Sequence, residues 1–177
     1  PGRAEVLIAG NTYYYTVMLN DRYSGVGTID AAGANEKAAP STCAYCSLRG
    51  IVALGTETLA QVTAVTKDCD LWKAQYSTVD AYNWQPGRTG VLGGASPFCA
   101  GLRGHVTSGF IVHDYRQVVH LATADSAPDG LRDAPSLDRW VGVGVRPDGK
   151  FVAVSQDGLA LVWTPGAGWG AAFERTG

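Results

Sequence analysis

The last third of the chain carries the pattern that most restricts its fold. Residues 140–163 read as three short segments, WVGVGV, FVAVS and LALVW, separated by tight turns. The valines of the first segment alternate with other residues, which is the period of a half-buried β-strand. Asp148-Gly149 and Asp157-Gly158 lie where a hairpin needs a residue with positive φ. The segment therefore predicts an antiparallel meander, with Trp140 and Trp163 in its core.

The composition fits one folded β domain over residues 1–177. Apolar residues make up 46% of the 177 and charged residues 17%, so a packed core is expected rather than a disordered chain. The formal charge of −2 argues against nucleic acid as a partner, because such a surface needs a basic face. No apolar run is long enough for a membrane span, and the first residues do not have the pattern expected of a signal peptide.

Further along the chain, short β-rich segments alternate with loops. Strands are predicted at 5–9, 12–19, 23–29, 51–54 and 58–66, and a hairpin at 107–112 and 118–124. An apolar stripe predicts a short helix over 68–82. Polar or glycine-rich composition predicts loops at 31–41, 84–104 and 126–139. Together these elements predict a mostly β fold: a single antiparallel β-sandwich or β-barrel domain with one short helix and two long loops.

The closing segment also resembles a β-propeller blade, in which a PDGK hairpin is followed by a short strand ending in tryptophan. Propellers are built from at least four such units, and repetition is their signature in sequence. The resemblance occurs once in this chain. The sequence therefore favours a single meander within a sandwich or barrel over a propeller.

Four cysteines are spaced as Cys43, Cys46, Cys69 and Cys99. An even number in an extracellular chain indicates two disulfides, with crossed pairs to Cys69 and Cys99 favoured over a strained bridge between the first two. A four-cysteine zinc site and buried free thiols are the alternatives. The disulfide interpretation is preferred, and no metal site is assigned.

Three histidines lie close together in the sequence. If Tyr115 and Arg116 form a two-residue loop, His113 and His120 share one face of a hairpin, roughly 7 Å apart. Such a pair of imidazoles could bind a metal or relay protons, although ordinary polar positions on a hairpin are the simpler interpretation. His105 could join them only through a bend at Gly109.

A second interpretation makes the chain an enzyme. Cys69, preceded by aspartate at the start of the predicted helix, and His105, in a GHV segment that opens a strand, resemble the motifs of NlpC-type cell-wall cysteine peptidases. The resemblance implies a cysteine nucleophile at Cys69, a base at His105 and an orienting residue at His120. No serine elbow, zinc-protease helix, phosphate loop or dinucleotide motif is present, so no cofactor is expected.

The aromatic residues favour recognition instead. Trp72, Tyr82 and Trp84 lie before or at the start of the glycine-rich loop, and Arg88 lies within it. Aromatic rings on loops above a rigid β scaffold form glycan- or protein-binding surfaces. The preferred function is a non-catalytic binding or surface module, extracellular or on a virion, that contacts a glycan or a protein through these four residues.

Overall fold

The structure is a computed structural model, and part of the chain is described by it. The described residues are 3–9, 12–19, 23–30, 33–37, 48–54, 61–66, 68–75, 85–92, 99–134 and 139–173. For the residues before 49, and for the last described strand beyond residue 170, the description is of the backbone. None of the described residues is helical.

In the described part of the chain, sixteen strands form four sheets of four strands, and each sheet is an antiparallel meander in chain order. Sheet 1 contains β1 (Arg3–Ala9), β2 (Thr12–Leu19), β3 (Tyr23–Asp30) and β4 (Gly33–Lys37). Sheet 2 contains β5 (Leu48–Leu54), β6 (Gln61–Thr66), β7 (Leu71–Gln75) and β8 (Gln85–Pro86). Sheet 3 contains β9 (Gly101–His105), β10 (Gly109–His113), β11 (Gln117–Leu121) and β12 (Asp129–Asp133). Sheet 4 contains β13 (Trp140–Val145), β14 (Phe151–Ser155), β15 (Ala160–Thr164) and β16 (Gly168–Phe173).

Each sheet packs against the next sheet along the chain, mainly through the first strand of each. β1 and β2 contact β5, β5 contacts β9, and β9 contacts β13. Four-stranded meanders repeated in this way are the blades of a β-propeller. The preference for a single meander over a propeller was therefore wrong, and neither a sandwich nor a barrel is confirmed.

Two apolar cores fill the spaces on either side of sheet 3. The sheet 2–3 core is built from buried residues that include Val65, Leu71, Leu102, Phe110, Val112, Val119 and Leu121. The sheet 3–4 core is built from Ile111, Val118, Trp140, Phe151, Ala153 and Trp163. Neighbours along β10 alternate between the two cores, because successive side chains of a strand point to opposite faces.

The predicted helix over 68–82 was wrong where the structure describes it. Leu71–Gln75 is strand β7, which pairs antiparallel with β6 and places Leu71 opposite Val65. Leu71 lies in the sheet 2–3 core, so the apolar stripe has a strand as its physical origin. The remainder of the predicted helix lies outside the described residues.

The three predicted loops also contain strands. β4 falls within 31–41, β8 within 84–104 and β12 within 126–139, and β9 begins within 84–104. Three of these four strands, all but β9, are the last strand of their sheet. All five residues of β12 are exposed, which is why its polar sequence DGLRD resembled a loop.

Several sequence predictions are confirmed. The closing meander forms β13, β14 and β15, and Gly149 has the expected positive φ of 79°. Trp140 and Trp163 are buried. The predicted hairpin register is also correct, since Ile111 pairs with His120 and the residue at position 118 pairs with His113.

Candidate functional site

Cys69 lies in the tight turn between β6 and β7, not at the start of a helix. Its φ is 63°, in the left-handed region that few residues other than glycine adopt. The turn is closed by hydrogen bonds from the amide of Cys69 to the carbonyl of Thr66 and from the amide of Thr66 to the carbonyl of Asp70. The helix N-terminus that would favour a thiolate does not exist here, so that part of the peptidase interpretation was wrong.

Cys69 and Cys99 are free, buried thiols that lie together in the sheet 2–3 core. Burial raises the pKa of the Cys99 thiol well above its ordinary value, and the neighbouring Cys69 side chain adds to the shift. Both effects favour the protonated thiol at Cys99. The expected disulfides are not present at these two cysteines, and Cys43 and Cys46 lie outside the described residues.

His105 joins sheet 3 to the first turn of sheet 4. Its Nε2 donates to the carbonyl of Pro147 at 3.2 Å, and its Nδ1 accepts from the hydroxyl of Thr107 at 3.0 Å. The Ser108 hydroxyl also lies 3.5 Å from Nδ1. Both ring nitrogens therefore have partners, and these partners hold the imidazole against sheet 4.

His120 is buried on the same side of sheet 3. Its Nε2 donates to the carbonyl of Ser108 at 2.6 Å, and its ring stacks on Trp163 with the centroids 3.8 Å apart. Among the described residues Nδ1 has no hydrogen-bond partner. Burial lowers the pKa of His120, because a second ring proton would enter the core without an acceptor.

These positions separate Cys69 from both histidines. Cys69 packs on the face of sheet 3 that meets sheet 2, whereas His105 and His120 are held on the face that meets sheet 4. The structure does bring His105 and His120 together around Ser108. In the described part of the chain, no three histidine, cysteine, aspartate or glutamate side chains are grouped as a metal site.

Two of the four predicted binding residues fall in the described part of the chain. Trp72 lies in β7 opposite Pro86 and is half-buried. Arg88 follows β8 and is exposed. Tyr82 and Trp84 lie outside the described residues.

The backbone around Arg88 is held firmly, although it belongs to the predicted loop. The Arg88 amide donates to the carbonyl of Ala124 at 2.7 Å, and its carbonyl accepts from the amide of Leu71 at 2.9 Å. The adjacent Gly87 amide donates to the Leu71 carbonyl. A methyl group at Gly87 would meet the carbonyls of Ala124 and Leu71, so glycine is required for this close approach.

The sequence reasoning missed a second exposed surface, which we term the Tyr115 patch: Tyr115, Arg116 and Arg139. Tyr115 is 47% exposed, and it is the one exposed aromatic side chain among those described. The guanidinium carbon of Arg139 lies 5.8 Å from the centre of the tyrosine ring, in cation–π geometry. Arg116 is exposed beside it in the same turn.

The backbone beneath the Tyr115 patch is fixed from both sheets that it joins. The Tyr115 carbonyl accepts from the amide of Trp140, and the Arg116 carbonyl accepts from the amide of Ala134. Within the turn, Oδ1 of the buried Asp114 accepts from the amides of Arg116 and Gln117, both at 2.6 Å. Burial raises the pKa of the Asp114 carboxyl, and these two backbone donors oppose the shift.

The sequence predicted the position of this turn but not the contact between Tyr115 and Arg139. It predicted a hairpin connection around Tyr115, whereas the partner Arg139 is 24 positions later and reaches the ring only because sheet 4 packs on sheet 3. The sequence signal for this pair is a tyrosine and an arginine in two turns that flank adjacent sheets. This signal identifies the pair only when the order of the sheets is known.

Comparison with known proteins identifies the fold alone. No protein-family model matches the chain, and no curated protein matches it. A crystal structure of a protein of unknown function from Bacteroides caccae superposes with a TM-score of 0.59 at 10% identity, over 97% of this chain and 61% of that one. A structure of YCF48 bound to D1 peptide superposes with a TM-score of 0.58 at 12% identity, over 100% of this chain and 58% of that one.

The chain thus spans about three fifths of the length of both similar structures. Their likeness agrees with the repeated four-stranded sheets described above. The part of the chain that the structure describes contains no helix long and apolar enough to cross a membrane.

Proposed function

We propose that this chain is a non-catalytic protein-binding module that contacts a peptide segment bearing carboxylates through the Tyr115 patch. The observation that carries the proposal is an exposed tyrosine placed under one arginine and beside another, on a backbone fixed by hydrogen bonds. Tyrosine and arginine are the residue types that dominate binding energy at protein interfaces. Arginine also binds carboxylates through two parallel hydrogen bonds.

Rigidity supports the same proposal. A turn whose carbonyls and amides are already bonded loses little conformational freedom when a partner binds, so more of the contact energy is available for affinity. The similar structure of YCF48 contains a bound D1 peptide, and this supports a peptide-binding surface on a chain of similar fold. The glycan partner, predicted from the aromatic residues, and the extracellular or virion-surface location stay predictions from the sequence.

Selection of peptides tests the proposal without a known partner. A phage-displayed library of random linear peptides is selected on the immobilised chain, and enriched peptides are titrated by fluorescence anisotropy. We expect enriched sequences to contain aspartate or glutamate, and their amide analogues to bind more weakly. Tyr115→Ala should weaken binding by about 1–2 kcal/mol, roughly 5- to 30-fold in Kd.

Alanine substitutions at three exposed arginines test where the peptide binds. Arg139→Ala should weaken binding, whereas Arg146→Ala, at an exposed arginine 3.2 Å from Asp148, should not. Arg88→Ala tests the surface predicted from sequence. Loss of binding in Arg88→Ala with full binding in Tyr115→Ala would move the site to the Trp72–Arg88 region and overturn the proposal. Failure to enrich any peptide would also overturn it.

The cysteine hydrolase is the alternative, and thiol labelling tests it. A nucleophilic Cys69 has to react with iodoacetamide in the native protein, whereas the buried thiols of the structure should react only after denaturation. Mass spectrometry of the labelled chain identifies the modified cysteine. Rapid native labelling at Cys69 would favour the hydrolase over the binding module.

A further inference from the structure

Two buried thiols meet between sheets 2 and 3. Cys69 is 4% exposed and Cys99 is 2% exposed, and both belong to the sheet 2–3 core. Their side chains are hydrogen-bonded to each other, and both are free thiols. Two sulfur atoms are thus in contact inside a core that is otherwise built from aliphatic and aromatic side chains.

Cys69 has a backbone conformation in which glycine is the usual residue. Its φ of 63° makes it the one residue other than glycine with positive φ among those described. This conformation is disfavoured for a residue with a side chain, because the Cβ atom comes too close to the following carbonyl oxygen. Residues held in such conformations cluster at functional positions. Contact with Cys99 is what the Cys69 side chain provides and glycine would not.

The backbone on either side of the sulfur contact is held in place. The carbonyl of Cys69 accepts from the amide of Val91 at 3.2 Å. The amide of Ala100 donates to the carbonyl of His113 at 2.8 Å, which anchors the residue after Cys99 to β10. The thiols therefore meet because sheets 2 and 3 are packed together. A bond between them would tie the turn before β7 to the segment that enters β9.

The surroundings of the two thiols slow their reaction with other sulfur compounds. Burial raises the pKa of the Cys99 thiol, and the Cys69 side chain and the charge of Asp114 act in the same direction. The backbone amide of Ala100 opposes the shift. Because the thiolate is the form that attacks a disulfide, exchange at Cys99 is slow in the folded chain. A completed bond at this position would be shielded from reductants by the same burial.

We propose that Cys69 and Cys99 are a modification site for a low-molecular-weight disulfide such as glutathione disulfide, which converts the two thiols into a disulfide bond between sheets 2 and 3. This pairing differs from the crossed pairs that the sequence predicted for the same cysteines. The proposal is independent of the Tyr115 patch, since it uses none of its residues.

The conversion consists of two exchange steps. The thiolate of one cysteine attacks a sulfur of glutathione disulfide, which breaks that disulfide, forms a mixed disulfide and releases one glutathione. The thiolate of the second cysteine then attacks the protein sulfur of the mixed disulfide and releases the second glutathione. The two cysteines lose two electrons and two protons, and the two glutathione thiols carry both away.

The bond should stabilise the folded chain by restricting the unfolded one. It closes a loop between positions 69 and 99 and lowers the conformational entropy of the unfolded chain. For a loop of about 30 residues in a chain of this size, the melting temperature should rise by about 5–15 °C.

Peptide mapping tests which cysteines pair. The reduced, unfolded chain is refolded to equilibrium in glutathione buffers of increasing oxidised fraction, the remaining thiols are blocked with iodoacetamide in denaturant, and the chain is digested with trypsin. Cleavage after lysine and arginine separates the cysteines: 68–73 contains Cys69, 89–103 contains Cys99, and 38–49 contains Cys43 and Cys46. We expect mass spectrometry to show 68–73 linked to 89–103, and dithiothreitol to separate them.

Three results of the mapping would overturn the proposal. These are free thiols at both Cys69 and Cys99 in the most oxidising buffer, a bond from either cysteine to 38–49, and a glutathione adduct that persists on one of the two. Each result is read from the unmodified chain, so it does not depend on whether a variant folds.

Melting temperatures in the reduced and oxidised states give a second test. The rise on oxidation should be largely lost in Cys99→Ser and retained in Cys43→Ser, which is the control at a cysteine outside the pair. Comparing the two redox states within each variant removes the effect of the substitution itself. An equal rise in Cys99→Ser and in the unmodified chain would overturn the proposal.

Discussion

Sheets 3 and 4 have the same number of strands and the same connections, but their surroundings differ. Sheet 3 lies between two cores, so Ile111 and Val112, neighbours on β10, are both inaccessible to solvent. Sheet 4 has one core. Phe151 on its inner face is inaccessible, whereas Val154, on the outer face of the same strand, is 37% exposed.

The difference teaches that local sequence pattern does not report which faces of a sheet are covered. The inner strands β10 and β14 carry apolar residues on both faces, as a sheet packed on two sides requires. In sheet 3 the requirement is met within the chain. In sheet 4 it is met on one side among the described residues, and on the other side Val154 is partly exposed.

The largest expected effect concerns the inner face of sheet 4. Trp163 is 6% exposed and packs between His120 and Phe151, with ring centroids 3.8 and 5.7 Å away. Trp163→Ala should lower the free energy of unfolding by about 3–5 kcal/mol, because it removes a large buried side chain and leaves a cavity. Urea denaturation measures the change. Val106→Ala, at an exposed valine, is the control and should stay within about 0.5 kcal/mol of the unmodified chain.

A smaller effect is expected where the first turn of sheet 4 touches sheet 3. Gly149→Val should cost more than about 1 kcal/mol, because a β-branched residue resists positive φ and its Cβ would collide with the Ser108 hydroxyl. Gly166 has a similar φ of 76° with no atom near the added methyl group. Gly166→Val therefore measures the backbone cost alone. Equal losses of stability in the two variants would show that the turn does not press on sheet 3.

The smallest effect is a pH dependence at the boundary between the sheets. The folded protein holds the pKa of His120 below the ordinary histidine value of about 6.5, chiefly through burial. The unfolded chain therefore binds a proton first as pH falls, and stability present above that value is lost below it. The carbonyl of Ser108 and the charge of Asp129 act in the opposite direction and limit the loss.

Melting temperatures between pH 7.5 and 5 check this effect. The unmodified chain should lose stability as pH falls through this range, and His120→Gln should lose less. An equal pH dependence in both proteins would assign the titration to other groups. His105→Gln serves as the comparison, because its ring lies in the same region but hydrogen-bonds to Pro147.

Most of the strands that the sequence missed are the last strand of their sheet. Inner strands such as β10 and β14 alternate clearly or are uniformly apolar, because they are packed against neighbouring sheets. Six strands were missed: β7, which was predicted as a helix, β9, which lay mostly in a predicted loop, and the last strand of each sheet, β4, β8, β12 and β16. β12 is fully exposed, so burial imposes no pattern on its sequence.

Missing these strands also hid the repeat. Without a fourth strand in each unit, the four sheets could not be recognised as equivalent, and the blade-like closing segment seemed to occur once. The Tyr115 patch was not predicted for a related reason. It depends on packing between sheets 3 and 4, which brings Arg139 over Tyr115. Hairpin register, by contrast, depends on turn length, and the pairing of Ile111 with His120 was predicted correctly.

The central claim is that both faces of sheet 3 are closed within the chain and that one face of sheet 4 is open. Lysine substitutions on opposite faces of one strand in each sheet test it directly: Ile111→Lys and Val112→Lys in β10, and Phe151→Lys and Val154→Lys in β14. Chemical denaturation should show that the first three fail to fold or lose most of their stability, because each buries an unpaired charge. Val154→Lys should remain folded, and its unfolding as severely as Phe151→Lys would contradict the account.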